Sequence, residues 1–207
     1  MEITAEELNK LLDEQYKRGY EAAKIQAAGN FNGHTFVDLG LPSGTLWATC
    51  NVGATRPEEY GDYFAWGEIE IKTKYTEKNY AYTGKPKPNV LPESEDAATT
   101  KWGKGWRMPT FNDFEELVDR CSWKFIKQNN VSGCLFIGPS GKSIFLPDAG
   151  SLNEDGLSTS GYWSSSCQDG KEPWYLEIDK QSCMVRYYDY DDYYCGQSVR
   201  PVCSIKK

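Results

Sequence analysis

Apolar and polar positions divide the chain into two unlike parts. Near the N-terminus, Leu8, Leu11, Leu12, Tyr16, Tyr20 and Ala23 recur at helical spacing behind Thr4-Ala5-Glu6-Glu7. That tetrad is a capping box: the Thr hydroxyl accepts from the third helical N–H, and the Glu reaches back. The spacing predicts a helix to about Ala28, stopped by Gly29-Asn30 and Asn32-Gly33. Its apolar stripe is thin and its surface heavily charged, so alone it would be marginal in water. Gln15 and Arg18 interrupt the seam that a long coiled coil would need. Residues 1–30 are therefore expected to tether or self-associate the chain, with packing against the domain as the alternative.

From about His34 the pattern changes to short runs, and residues 34–207 are read as one domain. HTFVDLGLPSGTLWATCNVG alternates around its Pro-Ser-Gly turn, as a hairpin would. Residues 73–100 are polar with several prolines and read as a long surface excursion. A second helix follows: Thr110 is its N-cap, Asp113 stands three residues on, and Phe111, Phe114, Leu117, Val118 and Cys121 form its apolar face. GCLFIG, KSIFLPDAG, GYWSSS, WYLEID, CMVRYY and SVRPVC then read as strands of an α+β or mostly β domain.

Composition narrows the chemistry. A net charge of −7 lacks the basic footprint of a nucleic-acid binder, so no nucleic-acid partner is expected. No run approaches the roughly 18 apolar residues of a membrane span, so no membrane insertion is expected. The N-terminal residues show neither the basic nor the apolar region of a signal peptide; a product made inside the cell, or a leader already removed, is expected. The seven cysteines are far apart and there is one histidine, His34, so clustered zinc ligands are missing and no metal or cofactor is expected. The cysteines read as buried thiols, with one or two bridges as the alternative. GPSGKS invites a phosphate-loop reading, but the required first glycine is Phe136 and the segment lies between two strand-like runs. A hairpin turn is expected there. No GxSxG elbow accompanies the serines of YWSSS, and no catalytic residues are assigned.

The segment VRYYDYDDYYC, residues 185–195, is the compositional outlier. Tyr offers a large, rigid, amphipathic contact area at low entropic cost, as in antibody paratopes, and Asp biases the surface toward cationic or hydroxyl-rich partners. If extended, adjacent Tyr187 and Tyr188 point to opposite faces, so part of the block faces outward. Packing of alternate tyrosines into a core is the competing reading. Asp189, Asp191 and Asp192 lack an EF-hand pattern, because Tyr194 and Arg200 stand where Gly and Glu are needed. An irregular calcium site stays an alternative to solvated carboxylates.

VDLGLPSGTLWATCNVGA, YGDYFAWGE, GKGWRMPT, IFLPDAG, GYWSSS and GQSVRPV, in this order, resemble the C-type lectin-like domains of Bacteroidetes and their phages. The fold is shared with formylglycine-generating enzymes and with the variable proteins of diversity-generating retroelements, such as the phage major tropism determinant. The resemblance runs from about His34 to Cys203. It implies an α+β, C-type lectin-like fold with short irregular strands and two helices, preceded by the N-terminal helix. It also implies scaffold roles for Trp66, Gly67, Trp106, Arg107, Pro109, Trp163 and the SVRPV strand. Residues 165–194 fall where such variable proteins display binding residues. The ligand-binding candidates are Cys167, Asp169, Trp174, Tyr187, Tyr188, Asp189, Tyr190, Asp191, Asp192 and Tyr193. Glu172-Pro173-Trp174 departs from the calcium-dependent sugar-binding motif.

The resulting expectation is a non-catalytic binding protein, retroelement-diversified, on a phage virion or a bacterial surface. Its partner would be a protein or glycan on a cell surface, and the N-terminal helix would support homo-oligomerisation. The alternatives are an enzyme of the formylglycine-generating kind, using Cys195 and Cys203, and a purely structural surface domain.

Overall fold

A computed structural model describes residues 28–154, 156–158, 161–168, 172–187 and 192–204. The expected N-terminal helix lies outside these residues. Within them the chain is mostly β, built on three sheets with two short α-helices, and this corrects the α+β expectation. The physical reason is the brevity of the helical patterns: α1 (Ala97–Trp102) has six residues and α2 (Phe111–Arg120) ten, whereas almost every other apolar run alternates and pairs laterally.

The first sheet has the order β1-β2-β3-β15-β5. Strand β1 (Ala28–Phe31) turns into β2 (His34–Asp38) through Asn32 and Gly33, both at positive φ (48° and 82°). This is the left-handed pair that a tight two-residue hairpin demands. The Asn-Gly dipeptide expected to stop a helix instead closes a hairpin. Strand β2 then pairs with β3 (Leu46–Ala48) across the expected Pro-Ser-Gly turn, with Val37 opposite Trp47. The near-C-terminal strand β15 (Val202–Cys203) inserts between β3 and β5 (Trp106–Arg107), drawing the two ends of the domain together.

The three-stranded sheet comprises β6 (Ser122–Gln128), β7 (Val131–Ile137) and β8 (Ser143–Pro147). GPSGKS is its β7–β8 turn, with Ile137 opposite Ser143 and Gly138 N–H donating to Lys142 O at 2.9 Å. The largest sheet has the order β10-β9-β14-β11-β12-β13, and β4 (Tyr63–Phe64) also pairs with β14 (Gly196–Ser198). Strands β9 (Ser151–Asn153) and β10 (Gly156–Ser158) form its outer hairpin. Its other half is an antiparallel meander of β11 (Gly161–Gln168), β12 (Glu172–Ile178) and β13 (Cys183–Tyr187).

Two apolar clusters fill the space between sheets. One surrounds Trp66, Trp106, Trp163, Tyr75 and Tyr80; the other surrounds Trp47, Phe114, Leu117, Phe136 and Leu176. Buried indoles need an acceptor for their N–H. Trp66 Nε1 donates to Ser164 O and Trp163 Nε1 to Phe64 O, both at 2.9 Å, and Trp106 Nε1 donates to Phe31 O at 3.1 Å. Arg200 is fully buried. Its guanidinium donates to Asn51 Oδ1 (2.7 Å), Ala48 O (3.2 Å), Thr49 O (3.0 Å) and Phe145 O (3.0 Å), so the SVRPV segment clamps the first sheet to the three-stranded one.

The segment expected as a surface excursion, residues 73–100, is mostly exposed but anchored by buried side chains. Tyr75, Tyr80 and Leu91 are buried, and a 3-10 turn spans Glu77–Asn79. Leu91 N–H donates to Ser165 O and Cys167 N–H to Asn89 O, so the segment returns to lie along β11. Its apolar residues are spaced too irregularly among prolines and charges to reveal this from the sequence.

Candidate functional site

Strand direction decides what the candidate residues can share. In the meander, Gln168 lies opposite Glu172, Cys167 opposite Pro173 and Trp174 opposite Tyr187. The end of β11, the start of β12 and the end of β13 therefore meet at one end of the sheet. Residues 169–171 join the first two, and 188–191 follow the third. Asp169, Tyr188, Asp189, Tyr190 and Asp191 lie outside the described residues.

Around this end the fold gathers groups from three separate stretches. Phe111, the first residue of α2, places its ring centroid 4.5 Å from that of Trp174, tilted by 47°. The Phe111 N–H donates to Ser166 Oγ at 3.2 Å, fixing the helix start against β11. Val90 forms an isolated bridge with Ser166 and is 54% exposed. Phe111 and Trp174 are half-buried. Val90 and Phe111 are thus both tied to Ser166, and the Phe111 ring meets Trp174, a residue type enriched in binding hot spots.

Two of the candidates are not on that surface. Cys167 and Tyr193 are each only 7% exposed and belong to the cluster around Trp66 and Trp163. Their reading as exposed ligand-facing residues is corrected. Tyr193 is held by its backbone, whose carbonyl accepts from Trp66 N–H at 3.1 Å, and Lys87 Nζ lies 4.0 Å from its ring centroid. A phenol ring packed in this way gains more from burial than from display. Asp192 opens a 3-10 turn, Asp192–Tyr194, that carries Tyr193 inward. Trp174 is the candidate whose described side chain is partly open, and Tyr187 occupies the register position across from it.

Sequence reasoning missed Lys87 and Val90 as neighbours of this surface and took Phe111 only as part of a helix face. Lys87-Pro88-Asn89-Val90 has no periodicity to announce that it lies beside β11. Only the backbone bonds to Ser165 and Cys167 bring it there.

The opposite face of the meander carries Trp163 and Tyr175 against the first apolar cluster, with a polar group beside them. Arg186 Nε lies 3.1 Å from Glu177 Oε1, and the Tyr175 hydroxyl donates to Glu177 Oε2 at 2.9 Å. Gly161 sits beneath this group. A Cβ there would come within 2.4 Å of Gln197 Oε1 and 2.7 Å of Tyr175 Cδ2, so the close approach requires glycine.

The two cysteines of the enzyme alternative are both buried. Cys195 and Cys203 are 2% and 1% exposed, and burial pushes the Cys203 thiol up to about 11 despite nearby Arg107. A thiol so held is a poor nucleophile near neutral pH. Among the described residues, no group of three or more His, Cys, Asp and Glu side chains is gathered as a metal site. No described helix is long and apolar enough to cross a membrane.

No protein-family model matches the chain, and neither a curated protein nor a solved structure matches it.

Proposed function

We propose that the chain is a non-catalytic binding protein that presents one end of its β meander to a protein or glycan on a cell surface. The observation carrying this reading is the convergence of Trp174, Phe111 and Val90 beside the two ends from which residues 169–171 and 188–191 run. Residues 188–191 are half of the eight-residue Tyr/Asp block at 187–194. The described scaffold is built on buried tryptophans and a buried arginine, so residues outside that core can change without dissolving it. The ordered motifs from His34 to Cys203 support the more specific version: a retroelement-diversified variable protein of a phage virion or bacterial surface. On this reading residues 1–30 attach or oligomerise the display domain.

The test is binding of the labelled full chain to arrays of cell-surface proteins and glycans, alongside a Val90→Asp, Trp174→Ala double variant. Saturable capture that the double variant loses, with its circular dichroism unchanged, supports the proposal. Undiminished capture by the folded double variant contradicts this placement of the site.

A further inference from the structure

The Tyr/Asp block joins the described fold at both ends. Tyr187 closes β13 opposite Trp174, and Asp192 opens the 3-10 turn Asp192–Tyr194. Residues 188–191 are the four between them. How firmly the turn is held therefore sets how much conformational freedom those four residues keep. Tyr193 is the residue that holds it, by two contacts. Its carbonyl accepts from Trp66 N–H at 3.1 Å, and its ring centroid lies 4.0 Å from Lys87 Nζ, within reach of a cation–π attraction. The segment that carries Lys87 is itself fixed at both ends. At one, the 3-10 turn Glu77–Asn79 lies beside Asp192–Tyr194, and the hydroxyl of buried Tyr80 donates to Trp66 O at 3.0 Å. At the other, Leu91 N–H donates to Ser165 O at 2.9 Å, and Asn89 O accepts from Cys167 N–H at 2.8 Å. Lys87 stands between Pro86 and Pro88. Proline fixes its own φ and holds the residue before it extended, so the backbone is stiff where the ammonium is attached. Residues 83–86 are exposed, whereas Lys87 is half-buried.

We propose that Lys87 is a positioning residue of the binding site: it clamps the turn Asp192–Tyr194 to the 80–91 segment and so fixes the C-terminal root of the Tyr/Asp block. This role rests on the reading of that block as part of the binding surface. The cation is what the contact needs, because an ammonium is drawn to the face of a phenol ring and an apolar side chain of the same length is not. A root held in one place leaves less of the block to be ordered when a partner binds, which favours binding without adding a contact to the partner. Lys87 thus acts through Tyr193, a buried ring, and not by being displayed itself.

The test compares the full chain with Lys87→Met, which keeps an unbranched stem without the charge, and Lys87→Arg, which keeps a cation able to stack on the ring. Backbone amide exchange is followed by NMR in all three. The reporter is the Trp66 amide, whose acceptor is Tyr193 O. In Lys87→Met it should exchange about 5-fold faster, the local opening that loss of one cation–π contact allows. The amides of Leu91 and of β7 should keep the parent rates, and Lys87→Arg should restore Trp66. Capture on the arrays of cell-surface proteins and glycans should weaken in Lys87→Met and return in Lys87→Arg. Parent-like Trp66 exchange in folded Lys87→Met overturns the clamp. Equal acceleration at Trp66, Leu91 and β7 overturns it too, because it marks a general loss of stability. Capture undiminished in Lys87→Met but lost in the Val90→Asp, Trp174→Ala double variant overturns the positioning role and leaves the site standing. If the parent itself captures nothing, the binding reading falls and the positioning role with it, while Trp66 exchange still shows whether the clamp exists.

Discussion

Phe111 and Trp174 meet at 4.5 Å between ring centroids, joining the first residue of α2 to β12 near the end of β13. The pair is half-buried, so it has both a structural share and a free share. Replacing Trp174 with Ala should cost about 1 kcal/mol of stability, the worth of an aromatic pair. It should weaken partner binding at least ~10-fold, as loss of an aromatic anchor does. Thermal unfolding and binding titration, run on the same preparation, separate the two effects.

Tyr193 should behave in the opposite way. It is 7% exposed, packed in the cluster with Trp66 and capped by Lys87. Tyr193→Ala is expected to destabilise the domain by roughly 3 kcal/mol. Val90→Ala, at a 54% exposed position, should stay within about 0.5 kcal/mol of the parent. Urea unfolding of both variants checks this contrast.

Arg200 is the buried cation of the scaffold. Removing it strands Asn51 Oδ1 and the carbonyls of Ala48, Thr49 and Phe145 without the donor that now serves them. Arg200→Met should cost roughly 3 kcal/mol or more, because several buried acceptors lose their donor at about 1–3 kcal/mol each. Expression yield and thermal midpoint report the loss.

Asp113 links the same scaffold to pH. Burial pushes its carboxyl up, but hydrogen bonding and attraction from Arg107 and bonds from Thr110 outweigh it, leaving the group below its ordinary value. Arg107 Nη1 approaches Asp113 Oδ2 to 2.7 Å, and Thr45 Oγ1 donates to Oδ1 at 3.0 Å. A carboxylate depressed in the folded state stabilises above its unfolded value, near pH 4, and that stability is lost as pH falls through the folded value. Asp113→Asn should thus cost about 2 kcal/mol at pH 7, with the deficit shrinking below about pH 4. Urea midpoints of parent and variant at pH 7 and pH 3 decide it. A deficit that grows on acidification would contradict the sign.

The fold was partly legible because some signals are local. Thr110 is the expected N-cap, with Asp113 completing a capping box, and Ile137 faces Ser143 across the expected GPSGKS hairpin. Asn32-Gly33 was ambiguous because the dipeptide that ends helices also supplies the two left-handed residues of a tight hairpin. The balance of helix and sheet was misjudged because β4, β5, β14 and β15 are two or three residues long and gain their partners from distant segments. At the candidate site, composition marked the Tyr/Asp block but could not say which ring turns inward. Tyr193 is drawn into the core by Trp66, more than a hundred residues earlier in the chain, and no local pattern encodes that contact.

The most direct measurement is sequencing of the genomic locus together with deep sequencing of the codons for residues 161–200 in a natural population. The account predicts a near-copy of that coding segment beside a reverse-transcriptase gene. It further predicts adenine-directed substitutions concentrated at Asp169 and Tyr187–Asp192, with the codons of Trp163, Gly196 and Arg200 unchanged. A locus with neither the repeat nor the reverse transcriptase, and substitutions spread evenly over scaffold and display codons, would contradict it.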